Sequence, residues 1–140
     1  MILDDILFVE SKTSYYFKRI VQKRMNWVPY LSAFFLLILI DLLWLVPLSS
    51  VFSTLVKDIQ GHAPNFRLGP AIVVYIALAY LVHRSKTVQD AFFMGAATYA
   101  VYDFTNLAIF EKYNLYLAIA DTIWGGVLMA TVRYLLNQAF

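Results

Sequence analysis

Residues 28–48 read VPYLSAFFLLILIDLLWLVPL, and they decide what kind of protein this is. The run holds one ionisable side chain, Asp41, among aromatic and aliphatic residues. At 1.5 Å of rise per residue, a helix of about 20 residues crosses the roughly 30 Å hydrocarbon core of a bilayer. The whole chain supports that reading. It has 140 residues, of which 61% are hydrophobic, 17% aromatic and only 14% charged; its mean hydropathy is +0.67. A soluble domain carries about 25% charged residues, so this composition has too little polar surface for water. A net charge of +2 argues against nucleic acid as a partner. With no cysteine there is no disulfide, thiol nucleophile or thiolate metal site.

Working outward, three further apolar segments follow, at about Leu68 to Val82, Ala91 to Phe110 and Tyr113 to Leu136. Pro70 suits a first helical turn, where its missing N–H costs little. Gly61 to Gly69, with Pro64 between, reads as a loop, and Ser49 to Arg67 is taken as one connection. No series of ten-residue alternating segments suggests a membrane barrel. The expected fold is therefore all-α: an integral membrane four-helix bundle over residues 27–140. Residues 1–26 are expected to form an N-terminal amphipathic, basic interfacial arm. There Ile2, Ile6, Val9, Tyr16 and Ile20 recur at near-helical spacing, with Lys12, Lys18, Arg19, Lys23 and Arg24 mostly off that stripe. A disordered basic tail is the other reading of the same residues. The arm's charge places the N-terminus on the cytoplasmic side, and four spans return the C-terminus to it. His83, Arg84 and Lys86 between the second and third segments agree.

The apolar segments contain three carboxylates: Asp41, Asp103 and Asp121. Counted from the cytoplasmic side, they lie roughly 18–23 Å deep, at one level a little outside the midplane. Each has a hydrogen-bond donor one turn away on its own helix face: Trp44 after Asp41, Asn106 after Asp103, Trp124 after Asp121. Tyr99 stands four residues before Asp103, with Tyr102 and Thr105 beside it, and Gly125 allows another backbone close approach. An isolated charge in hydrocarbon costs about 2.5–3.5 kcal/mol on insertion scales. A cluster of three carboxylates at one depth thus calls for a proton, a cation or hydrogen-bond donors. Asp41, Asp103, Asn106 and Asp121 are the candidate ligand- or cation-binding residues. Trp44, Tyr99, Tyr102, Thr105, Trp124 and Gly125 are the supporting ones. Interhelical glue is the competing role for the same groups.

The motifs resemble a known family. LLILIDLLWL in the first segment, YDFTNLAIF in the third and DTIWGGVL in the fourth are similar to the domain of unknown function 2177 family of small four-span membrane proteins. The matching positions are Asp41 and Trp44; Tyr102, Asp103, Thr105, Asn106, Leu107 and Ala108; and Asp121, Trp124 and Gly125. The resemblance covers about Val28 to Leu136 and implies a fold and a site location, with no activity attached. The basic arm looks like an addition to the family core.

Three function classes stand. In the first, the acidic cluster of a small polytopic membrane protein binds a cation, a proton or a small polar ligand. In the second, the chain is a structural membrane subunit of a larger assembly, such as a multi-subunit membrane complex or a virion inner membrane. In the third, a membrane enzyme uses the carboxylates as acid and base, but no Ser-His-Asp, HExxH or phosphate-loop pattern supports catalysis. The expected partners are the lipid bilayer and, through the arm, other membrane subunits. No cofactor is expected beyond a bound cation or lipid.

Overall fold

The computed structural model describes residues 27–140, so the expectation of an amphipathic arm over residues 1–26 lies outside the described residues. Five helices follow one another: α1 (Val28–Leu45), α2 (Ser49–Gln60), α3 (Leu68–Arg84), α4 (Val88–Ile109) and α5 (Leu115–Ala139). No strand occurs among the described residues. Pro29 opens α1 in its first turn. Pro47, with no N–H to give, stands in the turn after the helix ends at Leu45. Pro70 falls in the first turn of α3, as its chemistry asks.

The connection between α1 and α3 differs from expectation. Residues 49–60 form α2, and Gly61 closes it at φ 83°, a left-handed conformation suited to glycine. Its apolar residues are spaced along one face of an otherwise polar stretch, so sequence hydropathy alone shows a loop where an amphipathic helix forms. The remaining helices start on side-chain caps: Thr87 accepts the Asp90 N–H at 3.0 Å, and Asn114 accepts the Leu117 N–H at 3.1 Å.

Helices α4 and α5 form the broadest contact; α1 lies against α3 and α5, and α3 also touches α4 and α5. The α4–α5 pair is close because Gly95, Gly125 and Gly126 face its seam. A Cβ on Gly95 would overlap the carbonyl oxygen of Gly125, and one on Gly125 would run into the Tyr99 ring. The buried apolar core includes Ala33, Leu37, Leu78, Val82, Leu128, Met129 and Val132.

The outside is more apolar than a soluble protein allows. Leu43 and Val101 are each 71% exposed and Phe93 70%, while Asp103 is 0% exposed. Many large apolar side chains face out while Asp41, Asp103 and Asp121 face in, an arrangement unlike that of a fold solvated by water. Two helices, α1 and α5, are long and apolar enough to cross a membrane; α3 is apolar but shorter.

Candidate functional site

The chain order sets the geometry of the polar layer. Asp41 stands about one turn before the end of α1, and Asp121 less than two turns after the start of α5. The two helices pack side by side in opposite directions, each with an Asp followed three residues later by a Trp. In such an antiparallel pair, the Asp of one helix is level with the Trp of the other. The indole Nε1 of Trp44 donates to Asp121 Oδ1 at 2.7 Å, and that of Trp124 donates to Asp41 Oδ1 at 2.8 Å. The two rings lie flat on each other between these bonds, with centroids 5.1 Å apart and planes 8° from parallel. The result is a crossed clamp, two indole-to-carboxyl hydrogen bonds about a stacked indole pair.

This replaces the expected pairing of each Asp with the donor on its own helix. Trp44 does not serve Asp41, and Trp124 does not serve Asp121. Asp41 gains a second donor from a third helix, the Tyr75 hydroxyl of α3 at 2.9 Å. Tyr75 is missing from the sequence reading, although it shares a face with the buried Leu78, Ala79 and Val82 at helical spacing.

Asp103 on α4 is bonded differently. The Tyr113 hydroxyl, in the turn between α4 and α5, donates to Oδ1 at 2.6 Å. The Tyr113 hydroxyl points inward, whereas Tyr116, three residues on, lies outside at 82% exposure. Asn106, the expected donor to Asp103, adjoins the Tyr113 hydroxyl instead. The second oxygen, Asp103 Oδ2, is buried and has no hydrogen-bond partner among the described residues.

The three carboxylates come together loosely. Asp121 lies within Coulombic range of both Asp103 and Asp41, and Tyr99 within range of all three. Tyr99 also packs its ring on Gly125, which holds it at the seam. Yet no group of three or more Asp, Glu, His or Cys among the described residues is arranged to hold a metal ion. Tyr102 is 65% exposed and Thr105 is also on the outer side of α4. All three carboxylates sit toward the end of the bundle that carries α2: Asp41 near the end of α1, Asp103 near the end of α4 and Asp121 near the start of α5. Tyr113, the donor to Asp103, also lines a cleft of about 200 Å³ between α2 and α4, together with Phe52, Val56, Tyr102, Asn106 and Phe110, among others; Asp103 itself is not exposed to it.

A family model described as predicted membrane protein, domain of unknown function 2177, matches residues 26–136. No curated protein and no solved structure matches the chain.

Proposed function

The chain belongs to the domain of unknown function 2177 family of predicted membrane proteins, and on that premise we propose that it is a small polytopic membrane protein whose Asp103 carboxyl holds an exchangeable proton, monovalent cation or small polar ligand. In this reading α1, α3, α4 and α5 cross the bilayer as a four-helix bundle, α2 lies at one surface, and the three Asp residues are intramembrane. Apolar side chains facing outward and carboxylates facing inward support that placement. The single observation that carries the functional reading is the unpartnered, buried Asp103 Oδ2. Leaving a buried polar atom unpaired costs about 1–3 kcal/mol, more for a charged group. Asp41 and Asp121 are each tied into the clamp, whereas Asp103 stands outside it and keeps one fully buried oxygen without a partner among the described residues.

The test compares the thermal unfolding of the detergent-purified protein across pH, and with sodium chloride replaced by choline chloride. Unfolding of the parent should depend on pH or on sodium. Asp103→Asn should fold yet lose that dependence, since an amide satisfies hydrogen bonds without exchanging a proton or balancing a cation. Equal dependence in parent and variant, or none in the parent, would remove the proposal.

A structural subunit of a larger membrane assembly is the second reading, and the crossed clamp favours it. Two of the three carboxylates are engaged as interhelical ties, which is what a scaffold needs.

The four-span topology has its own check. The end carrying Arg84, Lys86 and Arg133 is assigned to the cytoplasm by its positive charge. Reporter fusions at Gly61 and Phe140 should then report opposite sides of the membrane, and a shared side would refute the topology.

A further inference from the structure

At the end of the molecule away from the carboxylates, two half-buried side chains each bury one nitrogen that has no hydrogen-bond partner among the described residues. Arg133 Nε on α5 and His83 Nδ1 on α3 each lack a hydrogen-bond acceptor among the described residues. They lie within Coulombic range of each other. Among the described residues no carboxylate is bonded to either; Asp90, the acid that follows α3, accepts from the Lys86 backbone N–H through Oδ2. The Arg133 Nε–H is a cationic donor, and His83 Nδ1 presents a second N–H in one of its two tautomers, so an anion placed here satisfies both.

A second feature adjoins them. The Tyr30 ring stands over His83 with centroids 4.0 Å apart. The same Tyr30 lines an apolar groove of about 410 Å³ between α1 and α3, together with Trp27, Leu31, Phe34, Ile76 and Tyr80. Tyr30 therefore joins a cationic end to an outward-facing apolar channel. Arg84 and Lys86 add positive charge at the same end.

We propose that this face is a binding site for one anionic phospholipid, with its phosphate on Arg133 and His83 and an acyl chain along the α1–α3 groove. Charge complementarity selects the headgroup, because a guanidinium N–H and an imidazole N–H both suit phosphate oxygens. The groove selects a chain-bearing molecule over a free ion, because its lining offers almost nothing but carbon. The site is independent of Asp103 and stands or falls apart from the reading given for that residue.

The experiment uses the full chain in detergent and reads bound lipid by native mass spectrometry alongside thermal unfolding. The probes are a phosphatidylglycerol, a diacylglycerol with the same chains, and inorganic phosphate. Phosphatidylglycerol is expected to bind and raise the unfolding temperature, with the other two having little effect. Arg133→Gln should weaken phosphatidylglycerol binding about tenfold or more, the scale of a lost charge-assisted hydrogen bond. Arg133→Lys should restore part of it. Ile76→Trp, which fills the groove without touching Arg133 or His83, should also weaken binding and guards against misfolding of the Arg133 variant. Equal binding of diacylglycerol, an equal shift from inorganic phosphate, or unchanged binding in both Arg133→Gln and Ile76→Trp would overturn the proposal. So would a full chain that ignores the lipid while Asp4→Asn/Asp5→Asn/Glu10→Gln destabilises it as Arg133→Gln does, since the arm's own acids would then be the anion.

Discussion

Trp44→Phe is expected to destabilise the protein by about 2 kcal/mol, and by more than Trp124→Phe. Phenylalanine keeps a ring in the stack but removes the indole N–H. The two losses are unequal because the carboxylates have unequal reserves. Asp41 accepts from both Trp124 and Tyr75, so Trp124→Phe leaves it one donor. Among the described residues, Asp121 accepts from Trp44 alone, so Trp44→Phe strands it. A buried acceptor left unsatisfied costs about 1–3 kcal/mol, more when charged, whereas removing both partners together is nearly neutral. The double variant Trp44→Phe/Asp121→Leu should therefore recover most of the stability lost in Trp44→Phe. Unfolding in mixed micelles, with helix content as the signal, checks the order of the three variants. Equal losses in the two single variants, or a double variant worse than both, would contradict the crossed arrangement. A same-helix pairing, with each Trp serving its own helix's Asp, predicts that Trp124→Phe instead strands Asp121.

The largest effect is expected at Gly95. An alanine Cβ there would already overlap the Gly125 carbonyl oxygen and touch Met129, and the overlap is with backbone, which cannot rotate away. Gly95→Ala should cost about 1–3 kcal/mol, in the usual range for overpacking. Gly95→Leu should exceed that range and separate α4 from α5, the pair with the broadest contact in the fold. Separation would also pull Tyr99 from Gly125 and Asp103 from the Tyr113 turn, so the site and the seam should fail together. Gly69→Ala is the internal control: nothing lies within 4 Å of a Cβ placed there. The same unfolding assay reads all three, and a Gly95→Ala variant as stable as Gly69→Ala would disprove the close seam.

The amino-acid sequence alone determined that the chain is helical and suited to a bilayer, since length, apolarity and the sparsity of charge are properties of each segment by itself. It also marked Asp41, Asp103 and Asp121 as the expensive groups, because a carboxylate in an apolar run is anomalous whatever surrounds it. Helix α2 escaped because its hydrophobic residues are diluted by Ser, Thr, Lys and Asp, and its order depends on spacing around the helix rather than on mean hydropathy. Which donor meets which carboxylate was decided only by tertiary structure. Spacing of three places Asp41 and Trp44 on one face, but a shared face leaves the partner open. Antiparallel packing of α1 on α5 sets each Asp against the opposite Trp, and that register follows from how the helices cross. Tyr75 and Tyr113 likewise became donors through a neighbouring helix and a turn, each far from its Asp in physical reach until the chain folds. The unpartnered oxygen of Asp103 belongs to the same class: an empty hydrogen-bond position is a property of the assembled surroundings, since only the packed helices exclude both water and every alternative donor.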